Sequence, residues 1–262
     1  MPATNGDAFF TRDGNWYVGH DAARGPWDPN GCHAGPVTGA LAGEAERLFP
    51  KRQLTRLTVT YLRPAPMDGF RVESESLGSG RAAASGRLSL WDRCGRLCAR
   101  ADSLHLARTI LKPLPTAQRP APNFSESEAA TFPLRSAWHG QDFFGSRAEV
   151  RLSKTQPKGP GPKVLWMKCR PIVDGEALTP FQRICPLADC ANGFARNADD
   201  GTRTFINPDI TVLMHRPAMG DWMASDGISF WEPSGIGATH ATLFDMRGVV
   251  ATALQSLVIR DR

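Results

Sequence analysis

The sequence predicts an α+β chain built from two related halves, each an antiparallel sheet wrapped on one helix. Three observations carry this reading. Leu57-Thr58-Val59 followed by Arg63-Pro64 returns as Ile210-Thr211-Val212 followed by Arg216-Pro217. Asp92-Arg93-Cys94-Gly95 returns as Asp245-Met246-Arg247-Gly248, and both motifs are displaced by 153 residues. A shared displacement of two separated motifs points to an internal duplication, with a period far longer than a solenoid repeat. Finally, Lys112–Pro133 holds five prolines, and such a segment disfavours helix and favours an extended linker. The expected division is 1–112, a linker at 113–133, and 134–262.

Each half shows the same order of elements. Early strands are expected at Ala8–His20 in the first half, and at Asp142–Ser153 and Val164–Val173 in the second. A helix follows at His33–Phe49, whose small and apolar residues favour one face. Its counterpart is Thr179–Asn197, opened by a capping-box pattern at Thr179 and Gln182 with Pro180 at the first position. Pro186 predicts a kink or restart near Leu187. Strands then run at Leu54–Leu62, Phe70–Leu77, Arg81–Trp91 and Arg96–Ala107, and again at Thr204–His215, Trp222–Trp231, Gly237–Asp245 and Val249–Arg260. Asp-x-x-Gly at 92–95 and at 245–248 reads as a hairpin turn. A helix with a run of antiparallel strands is the α+β layer pattern.

Composition narrows the function classes. The 262 residues are 41% hydrophobic and 22% charged, which is ordinary globular composition. Met1–Asp13 lacks the apolar core of a secretory signal, and no apolar run is long enough to span a membrane, so a cytoplasmic protein is expected. The net charge of +5 comes from 31 basic and 26 acidic residues. That suits an anionic small molecule, and the dispersed Lys and Arg leave no nucleic-acid footprint. Cys32, Cys94, Cys98, Cys169, Cys185 and Cys190 read as free thiols without a CxxC pair. No G-x-S-x-G elbow and no strand-borne G-x-G-x-x-G is present, which argues against a hydrolase serine and a dinucleotide site.

Several segments together resemble the double-hotdog acyl-CoA thioesterase II (TesB-like) family. They are His33-Ala34-Gly35-Pro36-Val37-Thr38-Gly39-Ala40-Leu41, the paired strand-then-Arg-Pro segments 57–66 and 210–222, Leu187-Ala188-Asp189-Cys190-Ala191-Asn192-Gly193, and Ala253-Leu254-Gln255. The resemblance covers roughly residues 8–260 and rests on the order and duplication of the motifs. It implies two tandem hotdog folds and hydrolysis of an acyl-CoA thioester without a covalent serine, a metal or an organic cofactor. A carboxylate, a glutamine and a hydroxyl residue then activate water. The carboxylate falls on Asp189 and the glutamine on Gln255. The threonine position falls on Asn207, a departure, since an amide orients water but has no hydroxyl; Thr204 and Thr211 are the hydroxyls nearby.

The chemistry needs a base for water, worth about 10²–10⁴-fold. It also needs donors aimed at the developing oxyanion, worth about 10²–10³-fold each. Backbone N–H groups around Asn192 and Gly193 are candidate donors, although Gly193 equally suits close packing of the helix. Trp231 is a candidate border of an acyl tunnel. The lesser readings are kept in view: an Asp near a helix start caps it, a strand Gln is exposed, Asn207 before Pro208 is a turn residue, and the tryptophans fill cores. Among the histidines, His20, His33, His105, His139, His215 and His240, no metal spacing is seen, and His33 is expected to be a helix-end or core residue. The loop Lys154–Lys163 is expected to be solvated.

Aligning the halves sets Gly193 against Gly39, Asp189 against Gly35 and Gln255 against Asp102. The first half lacks the Asp–Gln pair, so the second half is expected to supply the reacting groups. Two alternatives stand beside hydrolysis. One is a hydratase or dehydratase, which needs His33 or His105 against Asp189; the other is a silent acyl-binding protein. The expected partner is acyl-CoA, and exposed sheet edges suggest a homo-oligomer.

Overall fold

A computed structural model describes residues 7–134, 136–138, 140–199 and 201–261; His139 lies outside the described residues. The first half runs β1 (Phe10–Asp13), β2 (Trp16–Gly19), α1 (Ala34–Leu48), β3 (Gln53–Tyr61), β4 (Phe70–Ser79), β5 (Ala83–Asp92) and β6 (Leu97–Leu106). The second runs β7 (Ser127–Ala130), α2 (Phe144–Arg147), β8 (Val150–Ser153), β9 (Lys163–Lys168), α3 (Cys185–Ala188), α4 (Ala191–Phe194), β10 (Arg203–Ile206), β11 (Asp209–Met214), β12 (Trp222–Trp231), β13 (Ile236–Asp245) and β14 (Gly248–Asp261). The strands form one antiparallel sheet in the order β1-β2-β4-β5-β6-β3-β11-β14-β13-β12-β9-β8-β7, with β10 pairing β14. This is the expected α+β pattern.

The two halves meet at β3 and β11. Thr58 lies opposite Thr211 in that antiparallel pair, and the Thr211 hydroxyl donates to the Thr58 hydroxyl at 3.1 Å. The recurring motif therefore pairs with its own copy. Inward from this seam Leu57, Val59, Ile210 and Val212 are fully buried, because a period-2 alternation places them on the core face.

Helix α1 enters the core on its glycines. A Cβ at Gly35 would sit 2.7 Å from the Pro186 carbonyl oxygen, and one at Gly39 would sit 2.4 Å from Ile172 Cδ1. The spacing of four residues puts both glycines on one face, and that face lies flat against the 172–186 segment. The helix starts at His33, whose Nδ1 accepts the Gly35 N–H at 3.1 Å.

The hairpin turns form as expected. Asp92 Oδ1 accepts from the N–H groups of Cys94 and Arg96, and Gly95 takes φ +75°. Asp245 Oδ1 accepts from the Arg247 N–H, and both its carboxylate oxygens take Arg216 at 2.7 Å.

Four expectations are corrected. The proline-rich segment ends in a strand: Ser127–Ala130 pairs with β8, since no proline falls between Pro122 and Pro133. The second helix is not continuous. The capping box forms, with Thr179 N–H donating to Gln182 Oε1 and Gln182 N–H to Thr179 Oγ1, both at 3.1 Å. The chain then turns and restarts, as Pro186 predicts, in α3 with that proline in its first turn; beyond the expectation it breaks again at Asp189–Cys190 before α4. The strand expected at Thr204–His215 is split by Pro208, which lacks a ladder donor, into β10 and β11. Finally, Gln255 does not take the place of Asp102. Thr58 faces Asp102 whereas Thr211 faces Leu254, because the second hairpin turn is one residue shorter. Leu254 thus matches Asp102, both exposed, and Gln255 matches buried Ser103.

Candidate active site

The break between α3 and α4 presents Asp189 to the start of α1. Its backbone has φ −82° and ψ −7°, and its side chain is only 3% exposed. Asn207 reaches it from the Pro208 break: Nδ2 donates to Asp189 Oδ1 at 2.8 Å. Gln255 reaches it from β14, with Nε2 donating to Oδ1 at 3.0 Å. Asn192, one turn along in α4, donates from Nδ2 to Asn207 Oδ1 at 3.0 Å. Three amides thus converge on Oδ1, Asn207 and Gln255 directly and Asn192 through Asn207.

The other carboxylate oxygen faces a different neighbour. Asp189 Oδ2 lies 3.2 Å from His33 Nδ1. The His33 ring is stacked on Phe144 of α2, with centroids 4.0 Å apart and planes at 17°. Burial raises the Asp189 carboxyl to about 7, against the lowering donors Asn207, the Gly35 N–H and Gln255. Desolvation disfavours the carboxylate more than these dipoles favour it. Burial lowers the His33 imidazole to about 3, so the ring is neutral at pH 7.

A cavity of about 340 Å³ opens beside these groups. His33, Tyr61, Asp189, Asn192 and Asn207 supply its polar wall; Trp27, Leu62, Leu134 and Phe205 supply much of the apolar one. Tyr61 is a half-buried residue whose phenol is held well above its ordinary range by desolvation and then by the Asp189 charge. Its hydroxyl lies 2.5 Å from Thr38 Oγ1. Thr38 spends its own proton on the Ala34 carbonyl at 2.8 Å, so Tyr61 donates to Thr38. A concave, mostly apolar space with a few convergent polar groups is the usual form of a small-molecule site.

Each residue singled out from sequence has a place. Asp189, Asn207 and Gln255 come together. Gln255 is behind Asp189 rather than on the cavity wall, and its Oε1 is buried without a partner among the described residues. Asn192 lines the cavity. Gly193 does not: its N–H donates to the Cys190 carbonyl at 3.0 Å, and a Cβ there would meet Leu134 at 3.3 Å. Trp231 packs on Phe205 at 5.3 Å between ring centroids and so backs the wall. His105 packs on Phe49 and bonds Ser103, far in the fold from Asp189. Trp27, Tyr61 and Phe144 are site residues that sequence reasoning missed, and His33 entered only as one of two candidate partners of Asp189 in the hydratase alternative. The signal for His33 was its position one residue before a glycine-rich helix start, where a side chain points along the helix axis.

Residues 123–259 match the family model of the acyl-CoA thioesterase C-terminal domain, and residues 23–104 that of the acyl-CoA thioesterase N-terminal domain. A comparison with curated proteins finds no match. Among solved structures, a Novosphingobium aromaticivorans protein described provisionally as a thioesterase is 22% identical with a TM-score of 0.74, covering 95% of this chain and 98% of that one. A conserved protein of unknown function with a hot dog fold, from Alicyclobacillus acidocaldarius, is 16% identical with a TM-score of 0.71, covering 97% of each chain. The acyl-CoA thioesterase II TesB2 of Mycobacterium marinum is 18% identical with a TM-score of 0.61, covering 96% of this chain and 94% of that one. At such identities the structures speak for the hotdog fold, and the two matched domain models speak for the family. The chain belongs to the acyl-CoA thioesterase family whose N-terminal and C-terminal domain models it matches, a family of thioester hydrolases.

Proposed function

We propose that the chain is a double hotdog, with a second half that already begins at β7 within the 113–133 segment, and that it hydrolyses acyl-CoA with Asp189 as general base. The observation that carries this is the asymmetric Asp189 carboxyl. Two amide donors occupy Oδ1, so a proton taken from water goes to Oδ2. A carboxyl raised to about 7 is matched to neutral pH, where a base works best.

In this reading water attacks the thioester carbonyl carbon as Asp189 takes its proton. The tetrahedral intermediate collapses, the C–S bond breaks, and the CoA thiolate leaves to be protonated. Asn207 and Gln255 hold the carboxylate in place. Asn192 fixes Asn207, which explains how an amide serves at the family's threonine position. The apolar wall, with Trp231 behind Phe205, takes the acyl group, and Gly193 lets α4 lie against Leu134.

A thiol-release assay across acyl-CoA chain lengths tests the reading. Asp189→Asn is expected to lose at least about 10²-fold in kcat/KM while staying folded. Turnover undiminished in that variant sinks the assignment of the base. The contact between His33 and Asp189 also favours a second reading, hydration of an enoyl thioester, because such chemistry uses an acid–base pair. Loss of enoyl absorbance without thiol release would favour it.

A further inference from the structure

We propose that His33 is a positioning residue for the base: protonated Asp189 donates from Oδ2 to His33 Nδ1, so the imidazole holds the proton that the carboxylate takes from water. The proposal rests on the reading of Asp189 as the base, and it names the group that tunes it.

Hydrogen-bond arithmetic leads there. The Gly35 N–H donates to His33 Nδ1 at 3.1 Å, so Nδ1 carries its lone pair and the ring proton sits on Nε2. Asp189 Oδ1 already has its two amide donors. The Gly35 N–H is shared between His33 Nδ1 and the Asp189 carboxyl, and Oδ2 faces Nδ1 at 3.2 Å. Two lone pairs at that distance in a dry interior repel. A proton on Oδ2 turns the contact into a hydrogen bond. An imidazolium would forfeit the Gly35 N–H bond to Nδ1, and burial works against it. The ring has no freedom to turn away: Phe144 fixes its plane and Gly35 its edge. Burial favours the neutral form of both partners.

The neighbours leave the pair to itself. From β3, the Tyr61 hydroxyl is spent on Thr38. From the α3–α4 break, the Cys190 thiol donates to the Pro186 carbonyl at 3.1 Å. From β11, Asp209 accepts the Ser256 N–H at 2.7 Å. From α2, Arg147 pairs with Asp142. The residue before His33, Cys32, turns its thiol to the Pro66 carbonyl. Asp28 and Arg63 stand on the cavity wall. Among the described residues no Lys or Arg forms an ion pair with Asp189.

The proton count closes. Water loses a proton to Oδ2 as its oxygen electron pair bonds the carbonyl carbon. The O–H so formed points at Nδ1. The C–S electron pair leaves with sulfur, and the Oδ2 proton goes to that thiolate, restoring the carboxylate.

Nitrogen-15 spectra of the wild-type imidazole test this without any assay of turnover. The expected result is an Nε2–H tautomer throughout, with the His33 Nδ1 resonance moving at the same pH midpoint as the Asp189 carboxyl carbon, assigned by its loss in Asp189→Asn. An Nδ1–H tautomer, or an Nδ1 resonance indifferent to that midpoint, overturns the proposal. Two variants add the functional readout. His33→Ser keeps a good helix cap but its oxygen is too short to reach Oδ2. It is expected to lower the proton affinity of Asp189 about tenfold, moving the acid limb of kcat/KM down by one pH unit. His33→Asn, which returns an acceptor, is expected to move the limb back. Both variants matching the wild-type limb would count against the proposal. If no thiol is released by wild type yet the nitrogen and carbon titrations coincide, the functional reading fails and the pairing stands.

Discussion

Asp189→Asn should make the protein more stable at alkaline pH, and the sign follows from the shift. The folded carboxyl titrates near 7 and the unfolded one near 3.9. Between those values the folded state binds more protons than the unfolded state, so wild-type stability falls as pH rises through that window. The full shift of roughly three units corresponds to about 4 kcal/mol lost by pH 8. Asparagine escapes this loss and fits the site. Its oxygen keeps the donors of Asn207 and Gln255, and its amide nitrogen donates to His33 Nδ1. The assay is urea unfolding of both proteins at pH 5 and pH 8. About a third of that loss has already occurred by pH 5, so the difference between variant and wild type should grow by about 3 kcal/mol on going to pH 8, or roughly 6–12 °C in Tm for a chain of this size. A difference that is the same at both pH values, within about 0.5 kcal/mol, would refute the claim that Asp189 is ionised at a cost in the folded protein.

Two further outcomes follow from the packing. Gly35→Ala places a Cβ 2.7 Å from the Pro186 backbone oxygen, so it should cost about 1–3 kcal/mol by overpacking and lower thioester hydrolysis by moving α1 away from Asp189; chemical denaturation and thiol release measure both. A chain cut to residues 1–112 should not fold as a soluble monomer, because it uncovers the β3 edge and the glycine face of α1; circular dichroism and sizing would show this, and a folded monomer would contradict the reading of two interdependent halves.

Much of this fold was legible because its signals are local. The glycine and alanine pattern of α1, the alternation in β3 and β11, and the Asp-x-x-Gly turns each depend on neighbours in sequence. The strand at Ser127–Ala130 was hidden because its stability comes from pairing with β8, not from its own composition. The helix expected at Thr179–Asn197 broke because its residues are held by contact with α1 and need little helix of their own. The equivalence of Gln255 was misread by one residue because a one-residue change in turn length flips every side chain of the following strand.

The site was half legible. Asp189, Asn207 and Gln255 were identified from motif resemblance, and they meet on one oxygen. His33 was read as a helix-end or core residue, and as a partner of Asp189 only in the hydratase alternative. It is a helix-end residue: its Nδ1 caps Gly35. The same lone pair meets Asp189, a contact between residues 156 positions apart that no local pattern encodes. The cavity wall of Trp27, Tyr61 and Phe205 draws on both halves and was equally out of reach.

The pH dependence of thiol release by wild type and Asp189→Asn tests the central claim most directly. With acyl-CoA as substrate, wild-type kcat/KM should fall below a midpoint near pH 7, where Asp189 becomes protonated, and the variant should be at least about 10²-fold slower with that limb gone. A variant that keeps the wild-type rate and the wild-type acid limb would contradict it.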